Sequence, residues 1–184
     1  PVYNEVNTVS IVLHNLKKIK FFENYQSQLI IVDDNSNDGS TELLKKLEND
    51  DNFKNDIFIY KDKNLGKGDS QKIAIPLCDG SYTVIQDADL EYNVENINSL
   101  LELCIKKDHD AVLGYRKLQN TKMYSAYFIF HKIAVITLTV LTNMLYFTRL
   151  KDVCTCYRLI KTPIFVRCLS KLIFLSYIIV YLVL

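Results

Sequence analysis

The sequence predicts an α/β fold in which a mostly parallel β-sheet is covered by helices on both faces. Short apolar runs alternate with segments of helical periodicity along the first two thirds of the chain, as they do in chains that build parallel sheets. The runs are apolar at consecutive positions, which is typical of strands buried on both faces. Ligands of such sheets bind beyond the carboxyl ends of the strands, so the residues there are the first candidates for a functional site.

The predicted elements follow one another in a regular order. Apolar residues at helical spacing predict a first helix over 9–19, and the β-branched run "QLIIV" predicts the first strand. Clusters of turn-forming residues separate the elements that follow. Strands are predicted over 28–32, 56–60, 81–86 and 110–114, and the further helices over 41–48, 69–78 and 94–107.

The composition limits the classes of protein to consider. A chain of 184 residues is long enough for one domain with a real core. A formal net charge of +1 gives no reason to expect a nucleic-acid partner. Five cysteines without a C-x-x-C pair indicate reduced structural thiols rather than a zinc site. The opening "PVYNEVN" lacks both a leading apolar run and an initiator Met, so we expect a sequence entered partway through a fold.

The last third of the chain is apolar and basic. Residues 124–148 carry Lys132 as their one formal charge, and a spanning helix needs about 20 mostly apolar residues. His131, Lys132 and Asn143 favour a helix at the membrane interface or one packed on the domain over a spanning helix, and all three interpretations stay open. We divide the chain into a core over 1–120, a membrane-proximal helical part of the same domain over 121–165, and an apolar tail over 166–184 that we expect to be a truncated membrane segment.

Two strands are predicted to end in bursts of acidic residues. "IIVDDNSNDGS" contains Asp33 and Asp34, and "VIQDADLEY" contains Asp87, Asp89 and Glu91. Because like charges repel, we expect a cation between them. In an extended segment the last three acids would project to one side, where they could share Mg²⁺ or Mn²⁺. The open positions of such an ion favour a nucleotide diphosphate, although a solvated acidic turn is the alternative.

The loop "NLGKG" over 64–68 is a second candidate for phosphate binding. It fits neither the G-x-G-x-x-G pattern nor the P-loop pattern, so it is either a phosphate cradle with Lys67 or a flexible turn.

Six motifs follow one another along about residues 1–165: "PVYNE", "IIVDDNSNDGS", "NLGKG", "QDADLEY", "VLGYR" and "LKDVCTCYRL". In this order and at these intervals they resemble the motifs of the family-2 glycosyltransferases of GT-A fold. The nearest resemblance is to dolichyl- or polyprenyl-phosphate mannose and glucose synthases. It implies a Rossmann-like GT-A core over 1–120 and an inverting hexosyltransferase that takes its sugar from a nucleotide-diphosphate sugar, with a divalent metal, Mg or Mn, at the D-x-D motif.

The resemblance also implies roles for particular residues. It assigns the base pocket to Pro1, Tyr3 and Glu5, and the nucleoside contact to Val32 and Asp34. It gives the metal to Asp87, Asp89 and Glu91, and catalytic roles to Asp89 and, near the acceptor, to Asp152. The whole nucleotide-sugar site that we expect comprises Pro1, Tyr3, Glu5, Val32, Asp34, Lys67, Asp87, Ala88, Asp89, Glu91 and Arg116.

The acceptor that the resemblance implies is a polyprenyl phosphate at a membrane face, with the catalytic domain on the cytoplasmic side, at the endoplasmic reticulum in a eukaryote. An ionised phosphate acceptor is already nucleophilic, which fits the position of His14, His109 and His131 outside the acidic motifs. A nucleotidyltransferase and a non-catalytic membrane-associated remnant remain as alternatives. The cations that flank the apolar stretch, and that would attract lipid and phosphate, are Arg116, Lys117, Lys122, Arg149, Lys151 and Arg158.

Overall fold

A computed structural model describes residues 1–21, 24–114 and 126–172. These residues form helices and short strands in the alternating order that the sequence predicts. The helices are α1 Val9–Lys18, α2 Ser40–Glu48, α3 Lys67–Ala74, α4 Asn96–Lys106, α5 Ala126–Tyr146 and α6 Thr162–Leu172. The strands are β1 Ile30–Asp33, β2 Ile57–Tyr60, β3 Tyr82–Val84, β4 Ala111–Leu113 and β5 Arg158–Lys161.

The strands pair in two separate sheets. β1 and β2 are parallel, with Ile30 opposite Ile57 and Asp33 opposite Tyr60. The second sheet has the order β3-β5-β4, and β5 runs antiparallel to both of its neighbours. The α/β class is therefore confirmed, but the arrangement differs from the single, mostly parallel sheet that the apolar runs suggested.

Strand β5 was not predicted, because its sequence lacks the signal used for the others. In "RLIK" two apolar residues stand between two cations, and such a run is too short to read as a strand. Leu159 nevertheless joins the core, and the buried Arg158 donates to the Val153 carbonyl oxygen at 3.3 Å. Tertiary pairing with β3 and β4, rather than local propensity, creates this strand.

Hydrogen bonds in the turn before α2 fix the backbone at the start of this helix. Gly39 precedes the helix at a φ of +99°, a left-handed conformation that costs glycine little. One oxygen of Asp38 accepts hydrogen bonds from the Ser40 N–H at 2.9 Å and from the Ser40 hydroxyl at 2.6 Å. The Asp38 carboxylate thus satisfies a free N–H donor of the first helical turn and holds the turn closed.

Helix α3 is shorter than predicted. It starts at Lys67, directly after the glycine loop, and ends at Ala74, where one turn of 3₁₀ helix over Ile75–Leu77 continues it. Pro76 lies in that turn and has no N–H to donate, so an α-helical ladder cannot continue through it.

One apolar core joins helices α1, α2 and α4 to both sheets. The side chains of α1 pack in it with those of α2, α4 and both sheets. Phe53, which follows α2, is almost fully buried and makes edge-on ring contacts with His14 and Phe58, at centroid distances of 5.4 and 6.4 Å. The buried core includes Val2, Val9, Val12, Leu13, Leu16, Ile31, Leu44, Leu47, Phe53, Ile97, Leu100, Leu101, Cys104, Val112, Tyr157 and Leu159.

Helix α5 turns an apolar surface outward. Thr139 and Thr142 are its buried side chains among those described, whereas the large apolar residues that it exposes are 45% to 71% accessible. This exposure argues against the interpretation of 124–148 as packed core. Among the described residues, no helix combines the length and the apolar character that crossing a membrane requires. Residues 173–184, most of the expected apolar tail, lie outside the described residues.

Substitution of Leu44 tests the apolar core. Its side chain is fully buried on α2, so Leu44→Ala should lower the free energy of unfolding by about 2–5 kcal/mol through lost burial and the cavity left behind. Leu103→Ala, on the exposed side of α4, is the matched control and should cost much less. Urea unfolding followed by circular dichroism measures both, and equal losses would contradict the core described here.

Candidate active site at the strand ends

A polar cleft of about 270 Å³ opens where β1 and β3 end at their carboxyl termini. Residues from four predicted motifs meet there, although they are far apart in sequence. Three carboxylates from the two acidic bursts and one lysine ammonium line the cleft. The lining residues are Pro1, Val2, Tyr3, Glu5, Asp34, Lys67, Asp87, Ala88 and Asp89.

One wall of the cleft is built by joining the segment 3–6 to the loop 35–40. The Asn4 N–H donates to the Ser36 hydroxyl at 3.0 Å, and the Asn4 side-chain oxygen accepts from the Asn37 N–H at 2.9 Å. The Glu5 N–H donates to the Ser40 hydroxyl at 2.8 Å. These bonds satisfy backbone groups that form no ladder, and they explain why polar turn residues are so dense in both motifs.

Asp34 is the most heavily bonded acid in the cleft. Its Oδ1 accepts from the Lys61 ammonium at 2.5 Å and from the Leu65 N–H at 3.1 Å, and its Oδ2 accepts from the Gly66 N–H at 2.8 Å. Desolvation by itself would raise the pKa of Asp34, but these hydrogen bonds outweigh it and lower the pKa below its usual value. Asp34 therefore stays ionised and fixes the glycine loop at the start of α3.

Lys61 completes this arrangement on the other side. Its ammonium also lies 2.7 Å from Asp69, and its side chain is buried. Desolvation would lower the pKa of Lys61, but the hydrogen bonds to the two carboxylates raise it. Gly66 has a φ of +87°, and the space around it is open, so its backbone conformation and not its size calls for glycine.

Asp33 has a structural environment. It is buried, and its two oxygens accept from the Ser36 hydroxyl at 2.6 Å and from the Thr41 hydroxyl at 2.5 Å. Asp33, the last residue of β1, and Asp34, which follows it, thus point to different partners. Asp33 ties the loop to α2, whereas Asp34 faces the cleft.

Lys67 places its ammonium in the cleft, against Asp87. Its ammonium lies 2.6 and 2.7 Å from the two oxygens of Asp87, and 3.3 Å from the Cys156 sulfur. Burial would lower the pKa of Lys67, but the Asp87 carboxylate raises it, so this group is a cation at neutral pH. Burial raises the pKa of the Cys156 thiol, which therefore stays protonated beside the ammonium. All five cysteines are free thiols, as their spacing suggested.

The D-x-D segment bends instead of running straight. β3 ends at Val84, three residues before Asp87, and the Glu91 N–H donates back to Asp89 Oδ1 at 3.0 Å. The expectation that Asp87, Asp89 and Glu91 project to one side of an extended segment is therefore wrong. In the described part of the chain, no three acidic, imidazole or thiol groups converge closely enough to hold a metal ion.

The donor set still has the chemistry that a hard cation requires. Asp87 and Asp89 line the same cleft and offer carboxylate oxygens, the preferred ligands of Mg²⁺ and Mn²⁺. The Lys67 ammonium lies against Asp87 as the cation of that position. The residues present fit a divalent ion through two carboxylates, if Lys67 moves aside.

Several expected site residues lie elsewhere. Val32 is buried inside β1, and its carbonyl accepts from the Val2 N–H at 2.8 Å. Glu91 is exposed and does not line the cleft. The Asp152 carboxylate, also outside this lining, accepts from the Cys154 N–H at 2.9 Å. Arg116 falls outside the described residues.

Other residues of the site were not anticipated as such. Lys61, the buried partner of Asp34, directly follows the strand "DIFIY", and a lysine at a predicted strand end was the available signal. Cys156 was interpreted as a structural thiol. Nothing in its local pattern indicates the contact with Lys67, which depends on residues 89 positions apart.

The ion pair of Asp34 and Lys61 should dominate the response of stability to pH. Asp34→Asn leaves a buried ammonium with one carboxylate fewer, and should cost about 3 kcal/mol at pH 7. Because the pKa of Asp34 is lowered by folding, its contribution is present above its unfolded value of about 3.9 and is lost as the pH falls through the folded pKa. The variant should therefore lose less stability on acidification than the parent.

Urea unfolding at pH 7 and in a series down to pH 3 measures this effect. Asp62→Asn, at an exposed carboxylate, is the control and should change stability by less than about 0.5 kcal/mol. Identical acid profiles for the parent and Asp34→Asn would show that the pair contributes nothing to folding.

Comparison with known proteins identifies the family of this chain. The family model described as glycosyl transferase family 2 matches residues 1–168. An uncharacterized protein of Methanocaldococcus jannaschii is 26% identical over 165 residues, which are 88% of this chain and 69% of that protein. The undecaprenyl-phosphate 4-deoxy-4-formamido-L-arabinose transferase of Pseudomonas fluorescens is 28% identical over 130 residues, 69% of this chain and 36% of that enzyme.

Solved structures share the fold. Staphylococcus aureus TarS has a TM-score of 0.59 at 17% identity, over 91% of this chain and 28% of that one. A shorter TarS chain, solved in complex with UDP, has the same TM-score and is covered over 46% of its length. The chain thus spans less than half of these proteins and of the Pseudomonas enzyme. With the family model matched along nearly its whole length, a GT-A-like fold and the acidic cleft at its strand ends, this chain belongs to glycosyl transferase family 2.

Proposed function

We propose that this chain forms the donor-binding part of an inverting glycosyltransferase that moves a hexose from a nucleotide-diphosphate sugar to a polyprenyl phosphate at a membrane face. The observation that carries the proposal is the convergence of Asp34, Asp87, Asp89 and Lys67 on one cleft at the strand ends of a family-2 chain. Open α/β sheets bind their ligands at such ends.

The nucleoside would bind at the side of the cleft formed by Pro1, Tyr3, Glu5 and Asp34. Tyr3 is about half exposed, and its ring offers a face on which a base can stack. Asp34 Oδ2 accepts the Gly66 N–H and, as a carboxylate oxygen, can accept a second hydrogen bond from a base or ribose. The UDP complex of TarS supports uridine nucleotides as the first donors to test.

The diphosphate would bind at Lys67. Its ammonium is charged, stands at the start of α3 and contacts a carboxylate that a bound cation could take over. The amino end of a helix is also favourable for an anion, because unpaired N–H groups and the helix dipole point to it. Arg116 is the second phosphate ligand in this proposal.

A divalent ion, Mg²⁺ or Mn²⁺, would be held by Asp87 and Asp89, and by Glu91 if residues 88–92 changed their bend. Bound there, it would neutralise charge on the leaving diphosphate. The residues of the cleft would bind and orient the donor. The hydrogen bonds between Asp34, Lys61 and the glycine loop fix one wall of the cleft for this purpose.

A lipid phosphate is the acceptor that suits the rest of the chain. The Pseudomonas relative is named as an undecaprenyl-phosphate transferase, and the apolar side chains on α5 offer a surface that a lipid phase would cover. Arg149 and Lys151, just after this helix, are exposed cations suited to anionic headgroups or to the acceptor phosphate. Arg158 is buried against Val153 and so takes no part in this surface.

An ionised phosphate acceptor needs no base to deprotonate it, and this agrees with a cleft in which carboxylates and a lysine, but no histidine, are found among the described residues. Asp152 is retained as an acceptor-side residue that would orient the incoming phosphate through neighbouring cations. The catalytic face would then lie on the cytoplasmic side of the membrane, where nucleotide-sugars are made.

The metal and donor site is tested by Asp89→Asn. Calorimetric titration with UDP- and GDP-sugars should show that the parent binds them and that Mn²⁺ tightens the binding. In Asp89→Asn the affinity in the presence of Mn²⁺ should fall at least tenfold, because one charged ligand of the ion is gone. Asp62→Asn, an exposed acid outside the cleft, should bind like the parent.

An equal Mn²⁺ response in Asp89→Asn and the parent would refute the site. Preference for nucleoside triphosphates would instead favour a nucleotidyltransferase. Donor binding without transfer of radiolabelled sugar to polyprenyl phosphate would favour a non-catalytic remnant.

The membrane surface is tested by flotation with anionic vesicles. The parent should float with the vesicles, and a double variant of exposed α5 residues, Met144→Glu with Leu145→Glu, should reduce the floated fraction at least threefold, since two charges would enter the apolar interface. The matched control, Ile11→Glu with Leu103→Glu, puts the same charges at exposed apolar positions of α1 and α4. Equal flotation of the two double variants would remove α5 from the proposal.

A further inference from the structure

Lys67 and Asp87 form an ion pair inside the polar cleft. The ammonium lies 2.6 Å from one carboxylate oxygen of Asp87 and 2.7 Å from the other, so it contacts both oxygens at once. Within the described part of the chain, Lys67 is the one lysine or arginine that lines the cleft, whereas four of the lining residues are acidic. Carboxylates also bind divalent ions through both of their oxygens. The ammonium of Lys67 therefore occupies a place that suits a metal ion.

The two ion pairs of the cleft differ in what fixes them. Asp34 accepts from two backbone N–H groups as well as from the Lys61 ammonium, and both side chains of that pair are buried. The contacts of the Lys67 ammonium are with side chains, the carboxylate of Asp87 and the sulfur of Cys156. The side chain of Lys67 is 40% exposed. Because solvent can replace the contacts of an exposed ion pair, this second pair is the easier one to open.

The backbone of Lys67 is fixed, whereas its ammonium is free to change partners. Asp34 holds the N–H groups of Leu65 and Gly66, and Lys67 begins α3 directly after them. The ammonium of a lysine stands at the end of a long, flexible stem. A change of side-chain rotamer is therefore enough to take it away from Asp87, and the loop need not move.

We propose that Lys67 competes with the metal ion for Asp87, as a cation tethered inside the site. The inference rests on the proposed function, which supplies the ion and the diphosphate. While no ion is bound, the ammonium neutralises Asp87 and reduces its repulsion with Asp89, which lines the same cleft. An ion that binds without a donor has to displace the ammonium, and this competition lowers its affinity.

A diphosphate removes the competition. Lys67 can exchange the carboxylate for a phosphate oxygen and keep a charged hydrogen-bond partner. Both oxygens of Asp87 are then open to the ion, so the ion and the donor each bind more tightly in the presence of the other. The coupling is reciprocal, because the factor by which the donor tightens ion binding equals the factor by which the ion tightens donor binding.

Lys67→Met tests the competition directly. Methionine keeps an apolar stem and removes the charge, so Mn²⁺ without donor should bind the variant about tenfold more tightly than the parent. The paramagnetic signal of free Mn²⁺ measures both affinities. Lys72→Met removes the same charge from an exposed position of α3 outside the cleft, and its Mn²⁺ affinity should stay within about twofold of the parent.

Three results of these titrations overturn the proposal. They are equal or weaker Mn²⁺ binding by Lys67→Met than by the parent, a tightening of the same size in Lys72→Met, and an absence of Mn²⁺ binding in both the parent and Lys67→Met.

A measurement on the parent needs no variant. Acetylation of lysine amines, followed residue by residue with mass spectrometry, should proceed at least about twofold faster at Lys67 once Mn²⁺ is bound, because the displaced amine has left the carboxylate. Addition of UDP should slow this labelling again, because phosphate becomes the partner of the amine. Lys72 is the internal reference and should react at one rate throughout. An unchanged rate at Lys67 on saturation with Mn²⁺ overturns the proposal.

Titration with UDP separates this inference from the proposed function. The factor by which Mn²⁺ tightens UDP binding should be at least about fivefold smaller in Lys67→Met than in the parent, because the variant has no competitor to remove. The same factor in both chains overturns the competition and leaves the proposed function intact. A parent that binds Mn²⁺ but no UDP refutes the proposed function, while the Mn²⁺ titrations still decide whether Lys67 competes for Asp87.

Discussion

The geometry of the site depends on the carboxylate of Asp34. It accepts hydrogen bonds from the side chain that follows β2 and from the backbone of the glycine loop, so one residue at the end of β1 joins a strand, a neighbouring strand end and the start of α3. A buried pair of this type is a poor source of net stability compared with apolar packing, because both ions lose their hydration. The pair instead fixes the position of the glycine loop, because charge and hydrogen-bond geometry together admit few alternative arrangements of it.

Ion pairing also explains why two strands end in acidic residues. Within the described residues each acidic burst has a lysine partner supplied by the chain, Lys61 for Asp34 and Lys67 for Asp87. The first lysine is buried and has a second carboxylate neighbour, Asp69, so it is fixed. Lys67 is about 40% exposed on its side chain, and a more exposed ion pair is worth less and exchanges partners more easily. The two pairs thus divide into a structural one and one suited to an incoming anion.

Sequence reasoning predicted most elements and most of the cleft, for identifiable reasons. The four strands predicted before residue 115 are all present, because continuous apolar runs between turn clusters are local signals. Pro1, Tyr3, Glu5, Asp34 and the D-x-D acids line one cleft because β1 and β3, although they belong to separate sheets, both end there. The antiparallel β5 and the contact of Lys67 with Cys156 were not predictable in this way, since both arise from pairing between distant segments. The bend after Asp87 was missed because a local Asx-type hydrogen bond overrides strand propensity.

The return of the chain from α5 has a mechanical consequence. Asn143 bonds through its amide to both backbone groups of Leu150, and Thr139 accepts the Val153 N–H at 3.2 Å, so the segment after the helix is attached to the helix itself. A few residues later the same segment brings Cys156 against Lys67. This segment therefore connects α5 to the cleft. A change in the position of α5 would move this segment, and with it Cys156, relative to Lys67.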